Sequence, residues 1–222
     1  AHERAGRLRA LWERLQPYWC DRVIPPTRRW FQGIRPVNFP VRRLAGVAIL
    51  LARSMQKGRP PLQGLLAHIR AAQATLEGAV PTRKRHPLLG ELVEWFTVGG
   101  EGHFWGTHYS FTAKPAARPM MLIGEATALS LVFNALLPAA LLAARQGEDE
   151  PLSRSVFRLF SLVPPLQPNH ITEFMTRRLF GDDARGGALI NTERRRQGLF
   201  QIFYHCCNGE ERHCETCHYL TG

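Results

Sequence analysis

Four of the five cysteines in this chain of 222 residues fall between positions 206 and 217: Cys206, Cys207, Cys214 and Cys217. Cys214-Glu215-Thr216-Cys217 is a CxxC, and Cys207 precedes it by seven residues across a polar loop containing Asn208-Gly209. That spacing predicts a helix end, a turn and a metal knuckle carrying three thiolates. Tetrahedral zinc and a four-iron cluster both take four ligands, so one is missing. Cys206 adjoins Cys207, and two neighbours on a helix cannot both face one ion. The fourth ligand is therefore open among Cys20, His205, His213, His218 and a histidine such as His108 from elsewhere in the chain. Zinc accepts a mixed Cys/His set, whereas a 4Fe-4S cluster calls for Cys206 or Cys20.

A second constellation is basic. Lys and Arg number 29 against 18 Asp and Glu, a net charge of +11, and 26 of the 29 are arginine. Arginine pairs bidentately with phosphate or carboxylate, and a charge of this sign attracts polyanions, DNA or RNA first among them. Arg28, Arg29, Arg35, Arg42 and Arg43, with Trp30 and Phe39 between them, have the composition to follow a phosphate backbone. Arg194, Arg195 and Arg196 form a basic turn ahead of the cysteines. His103, Trp105, His108, Tyr109 and Phe111 form an aromatic segment suited to stacking or to supplying a ligand.

The chain holds no serine-nucleophile motif, phosphate-binding glycine loop or HExxH, and its carboxylates are scattered. An accessory or binding role is expected rather than a catalytic one. Clustered cysteines and the absence of a secretory signal point to a reducing, cytoplasmic setting. The start at Ala1 suggests an internal point of a longer protein, or a processing product.

The elements that must position these groups read as helices. Residues 3–19 form an amphipathic helix with Leu8, Leu11, Trp12 and Leu15 on one face. Residues 1–26 are one N-terminal unit, and 27–222 a compact helical domain. Asn38 and Pro40 mark the start of a helix over VRRLAGVAILLARSM, and others follow near 62–78 and over LLGELVEWF. Residues 126–144 carry no charge, but alanine content, Asn134 and Pro138 favour a buried central helix bent near Pro138 over a membrane span. Helices near 151–162, 169–180 and 188–206 complete an all-α fold of seven or eight helices. GDDARGG reads as a loop, with Asp182-Asp183 in a turn.

Five stretches taken in order resemble one bacterial family, catalogued as domain of unknown function 2851: RPVNFPVRRLAGVA (35–48), FWGTHYSF (104–111), IGEATALSLVFNALLP (123–138), RRQGLFQIFYHCC (195–207) and the terminal CETC. The resemblance implies that Cys207, Cys214 and Cys217 are the family's three terminal cysteines. It also implies that Trp105, His108 and Tyr109 are its Trp-x-x-His-Tyr, making His108 the leading fourth ligand ahead of Cys20. The family's larger members carry a restriction-nuclease-like half. By this resemblance the chain is a metal-stabilised, basic accessory half that docks on a nuclease-like partner and contacts nucleic acid. A protein-interaction scaffold with a structural metal is the alternative.

Overall fold

The computed structural model describes residues 2–19, 38–56, 61–82, 84–167 and 169–207. Among them the protein is all-α, with no β-strand beyond one isolated antiparallel bridge, Val98 to Ile123. Eight helical elements have ten residues or more: α1 (His2–Trp19), α2 (Pro40–Gln56), α3 (Pro61–Ala71), α5 (Pro87–Phe96), the continuous run Glu125–Gln146, α9 (Glu150–Leu162), α10 (His170–Phe180) and α12 (Glu193–Ile202). Three short ones join them: α4 (Gln73–Leu76), α6 (Phe104–Thr107) and α11 (Ala184–Leu189).

The chain divides into two compact units: residues 1–58 with 97–124, and residues 59–96 with 125–222. The division does not follow the expected 1–26/27–222 organisation, because the first unit includes the N-terminal helix, α2 and a distant loop segment. The formal charge divides with it. The first unit carries fourteen Lys and Arg against four Asp and Glu, net +10, and the second fifteen against fourteen, net +1.

In the first unit, residues 97–124 fold back on themselves by backbone pairing. Val98 N–H donates to Ile123 O at 3.0 Å, Leu122 N–H to Val98 O at 2.9 Å, and Met120 N–H to Gly106 O at 2.8 Å. Two glycines permit this. A Cβ on Gly100 would stand 2.0 Å from Met120 O, and one on Gly106 1.9 Å from Gly100 O, both backbone atoms with nowhere to go. α2 lies against this knot through Gly46, whose missing Cβ leaves room for the side chain of Ile123.

The second unit is a helical bundle. Its long helix comprises α7 (Glu125–Leu131), a π-turn (Val132–Leu136) and α8 (Leu137–Gln146). Pro138 offers no N–H to the carbonyl four residues back and its ring crowds that position. The wide turn just before it accommodates the ring without breaking the helix. The bend expected at Pro138 is thus taken up as a π-turn. Val132 and Leu137, five residues apart, are both fully buried, a spacing that brings side chains onto one face in a π-turn. Ala128, Leu129, Phe133, Ala140 and Ala144 extend the buried face, with the Phe133 ring edge-on to Phe160 of α9. This helix is the one among the described residues whose length and composition would let it cross a membrane.

Three of the second unit's longer helices start on side-chain caps. Asp149 accepts from Leu152 N–H at the head of α9 and Thr192 from Arg195 N–H at the head of α12, while Asn169 and Thr172 form a reciprocal capping box on α10. GDDARGG is not a plain loop. Asp183 caps α11 by accepting from Arg185 N–H at 2.9 Å, and Gly186 passes so close to Phe180 that a Cβ would meet its ring at 2.7 Å. Glu193, buried at the start of α12, accepts from Leu166 N–H at 2.8 Å, while its own N–H donates to Val163 O.

The Leu152 N–H and the guanidinium of Arg70, 3.1 Å away, hold the Asp149 carboxyl below the usual carboxylate range. A depressed folded pKa gives stability above the unfolded value of about 3.9 that is lost as pH falls through the folded one. In Asp149→Asn that contribution is gone: denaturant midpoints followed from pH 7 to pH 2 should fall less steeply on the acid side than in the wild type. Gly106→Ala tests the backbone knot, with an expected loss of about 2–4 kcal/mol in chemical denaturation.

Candidate nucleic-acid interface and metal ligands

The arginines expected to form one surface have different fates. Arg28, Arg29 and Arg35 lie outside the described residues. Arg42 does not face a phosphate backbone: it is fully buried. Its Nε donates to Trp105 O at 2.9 Å and its Nη2 reaches Met120 O at 3.5 Å, while the guanidinium stands over the Tyr109 ring at 5.3 Å. The cause is local. α6 and the segment ending at Met120 present carbonyls to α2, and a five-donor planar group on that face satisfies them. Burial pulls the Arg42 pKa down; Tyr109 offsets this in part and Arg43 adds to it. Arg43, beside it, donates to Leu122 O at 2.9 Å and to Asn38 Oδ1 at 2.6 Å, so the Asn38 side chain serves Arg43 at the start of α2.

Arg194 and Arg195 are exposed on the first turn of α12. Arg194 donates to Ser161 Oγ at 2.5 Å and covers the Phe157 ring at 4.5 Å. Arg195 reaches back to Leu189 O at 2.7 Å and Asn191 Oδ1 at 3.0 Å. Both keep an outward face, yet Arg194 is held by side chains of α9 and Arg195 by the turn ahead of α12. Arg196, the third arginine of the expected basic turn, donates to Leu166 O and helps fix the segment before Asn169.

Cys206 and Cys207 end another π-turn, Phe203–Cys207, which follows α12. Cys207 is buried among Ile171 and Met175 of α10 and Leu199 of α12, and Cys206 packs against the same cluster. Cys206 is a free thiol. His205 Nε2 lies 2.9 Å from Gln201 Nε2. Cys20, His213, Cys214, Cys217 and His218 lie outside the described residues, and with them most of the expected knuckle. Among the described residues no group of three or more His, Cys, Asp or Glu side chains is placed to hold a metal.

His108 belongs to the first unit and Cys207 to the second. His108 closes α6, half-buried, stacked on Phe104 at 4.0 Å and 12°. Its Nδ1 is 3.0 Å from both Phe104 O and Thr107 Oγ1. A proton on Nδ1 donated to the carbonyl leaves Nε2 with the lone pair, the arrangement that orients ligating histidines. Hydrogen-bonded histidines in aromatic surroundings use the same arrangement without a metal. The rings around it are spent on one another: Phe111 stands 4.9 Å from Trp105 and 5.9 Å from Phe104, and the Tyr109 hydroxyl meets Met120 Sδ at 3.1 Å. His103 is exposed at the head of α6.

Residues 6–169 match the family described as Protein of unknown function (DUF2851). The chain belongs to this family. The DUF2851 match takes in the first three of the five resembling stretches, Arg42 and the aromatic segment, and begins within α1. Residues 195–207 and the CxxC lie beyond it. No curated protein and no solved structure matches the chain.

In this DUF2851 protein Arg42 is a structural tie. Arg42→Met should lower stability by about 2–4 kcal/mol, since it strips donors from buried carbonyls. Its affinity for duplex DNA, measured on the folded fraction at low temperature, should stay within a factor of about two, as expected when no phosphate contact is removed.

Proposed function

We propose that this chain is a basic, helical accessory part of a nuclease-like protein, with the first unit as the face toward nucleic acid. The observation that carries this reading is the partition of charge: +10 of the +11 resides in the first unit. A single-sign field on one unit raises local polyanion concentration and association rate. Arg28, Arg29 and Arg35 belong to that unit and would supply phosphate contacts; Arg194 and Arg195 would add to them from the second unit. Arg42 and Arg43 have another task, so the contacting set is smaller than the arginine count suggests.

Zinc would be held by Cys207, Cys214 and Cys217 with His108 as the fourth ligand that the family resemblance implies; the alternative is a 4Fe-4S cluster on the same three thiolates with Cys206 or Cys20 as the fourth. The donor chemistry fits zinc: three thiolates and one imidazole whose Nδ1 is engaged by a carbonyl. A metal there would have a structural role, turning ligand binding into folding free energy. A nuclease-like half, as the same chain or a partner, would supply the chemistry.

Two measurements test the reading separately. Binding to a generic duplex should weaken steeply with salt, and Arg28→Gln/Arg29→Gln/Arg35→Gln should reduce the slope of log K against log salt by about 2–3. No binding at low salt would leave a protein-interaction module as the reading. Elemental analysis and absorption spectra of anaerobically purified protein identify the ion. Cys214→Ser should lose the metal and lower Tm together; an unchanged Tm with no metal in the wild type removes the knuckle.

A further inference from the structure

α2 is inverted relative to the usual amphipathic helix. Its inward side carries Arg42, Gly46, Leu50 and Ser54. Its solvent side carries Val41, Leu44, Val47, Leu51 and Met55, with Leu44 66% and Met55 81% exposed. No acidic residue occurs anywhere in the helix. The same unit holds α1, whose Leu8, Leu11, Trp12, Leu15 and Tyr18 are also exposed. Apolar surface of this extent marks an interaction face.

The edges of the α1 face indicate what it meets. At 3.6 residues per turn those five residues span an arc of about 120°. By register Arg7 and Arg14 fall within about 40° of one edge and Arg9 about 60° beyond the other, while Glu13 falls near the middle of the polar side, Glu3 beside Arg14 and Arg4 inside the apolar arc. Arg7 reaches Glu3 at 2.6 Å, away from the apolar arc. Arginines at the edge of an apolar face lay their stems on hydrocarbon and lift guanidinium groups to the height of headgroup phosphates. Trp and Tyr on the same face suit the boundary between acyl chains and headgroups. A second copy of the unit fits poorly, since two units of +10 repel. A nucleic acid fits the arginines and leaves the leucines unused.

We propose that the first unit docks on an anionic lipid surface, with α1 lying in the headgroup layer and the solvent side of α2 as a second apolar contact. This is attachment to a surface rather than a span, and it stands independently of the nucleic-acid reading.

The test uses the full chain and vesicles of phosphatidylcholine with or without about 30% phosphatidylglycerol. Cosedimentation is expected with the anionic vesicles and not the neutral ones, with release by added salt. Leu11→Ser/Leu15→Ser should cut partitioning on the order of tenfold, and Leu44→Ser/Leu51→Ser should also cut it, with circular dichroism and DNA affinity unchanged. Amide exchange in residues 2–19 should slow on anionic vesicles. Absence of binding at low salt overturns the proposal. So do serine variants that bind as tightly as the wild type, and so does a dimer in light scattering that those variants dissociate. Loss of DNA binding with vesicle binding intact would count against the nucleic-acid reading alone.

Discussion

The first unit depends on a guanidinium held out of water. Arg42 enters from α2 and meets the carbonyl oxygens of Trp105 and Met120, which stand on two arms of one loop. Those carbonyls converge because Gly100 and Gly106 let the backbone cross itself where a methyl group would collide with carbonyl oxygen. A charged group this deep is costly to desolvate. A planar donor array aimed at fixed acceptors offsets that cost, and no other side chain presents five N–H groups in one plane. The loop gives Arg42 its acceptors, and Arg42 gives the loop a reason to stay closed.

That arrangement accounts for how α2 is turned. The periodicity of VRRLAGVAILLARSM is helical, and the helix was legible from it. Which side faces inward was not, because the pattern puts valines and leucines inside and arginines out. One unsatisfied pair of carbonyls reverses the choice, and those carbonyls belong to residues more than sixty positions away. The same logic separates Arg42 from Arg194 and Arg195. All are arginines near helix starts in sequence, and only the acceptors across the fold distinguish a buried tie from an outward charge.

The second unit was more readable because its determinants are local. Apolar spacing at Leu152, Val156, Leu159 and Leu162, and caps at Asp149, Asn169 and Thr192, all lie within a few residues of the helix they define. GDDARGG misled because its glycines suggest a loop. Here Gly186 thins one side of a short helix so that it can pass the Phe180 ring. Glu193 was also missed: a carboxylate at a helix head is ordinary in sequence, and only the fold shows that it receives the backbone of Leu166. For the terminal cysteines the described residues reach Cys207, whose burial against α10 follows from Ile171 and Met175 at helical spacing.

The π-turn at Val132–Leu136 has a consequence for how this fold tolerates change in length. A wide turn of this kind holds one residue more than the same stretch of α-helix. It therefore acts as slack: the surplus residue is absorbed within the turn, and α8 keeps its rotational phase against α9. A relative one residue shorter here could run straight through as α-helix and still present the same alanines to its neighbour. The proline just beyond would then become the least comfortable residue in the helix, so shortening the turn and losing Pro138 should travel together.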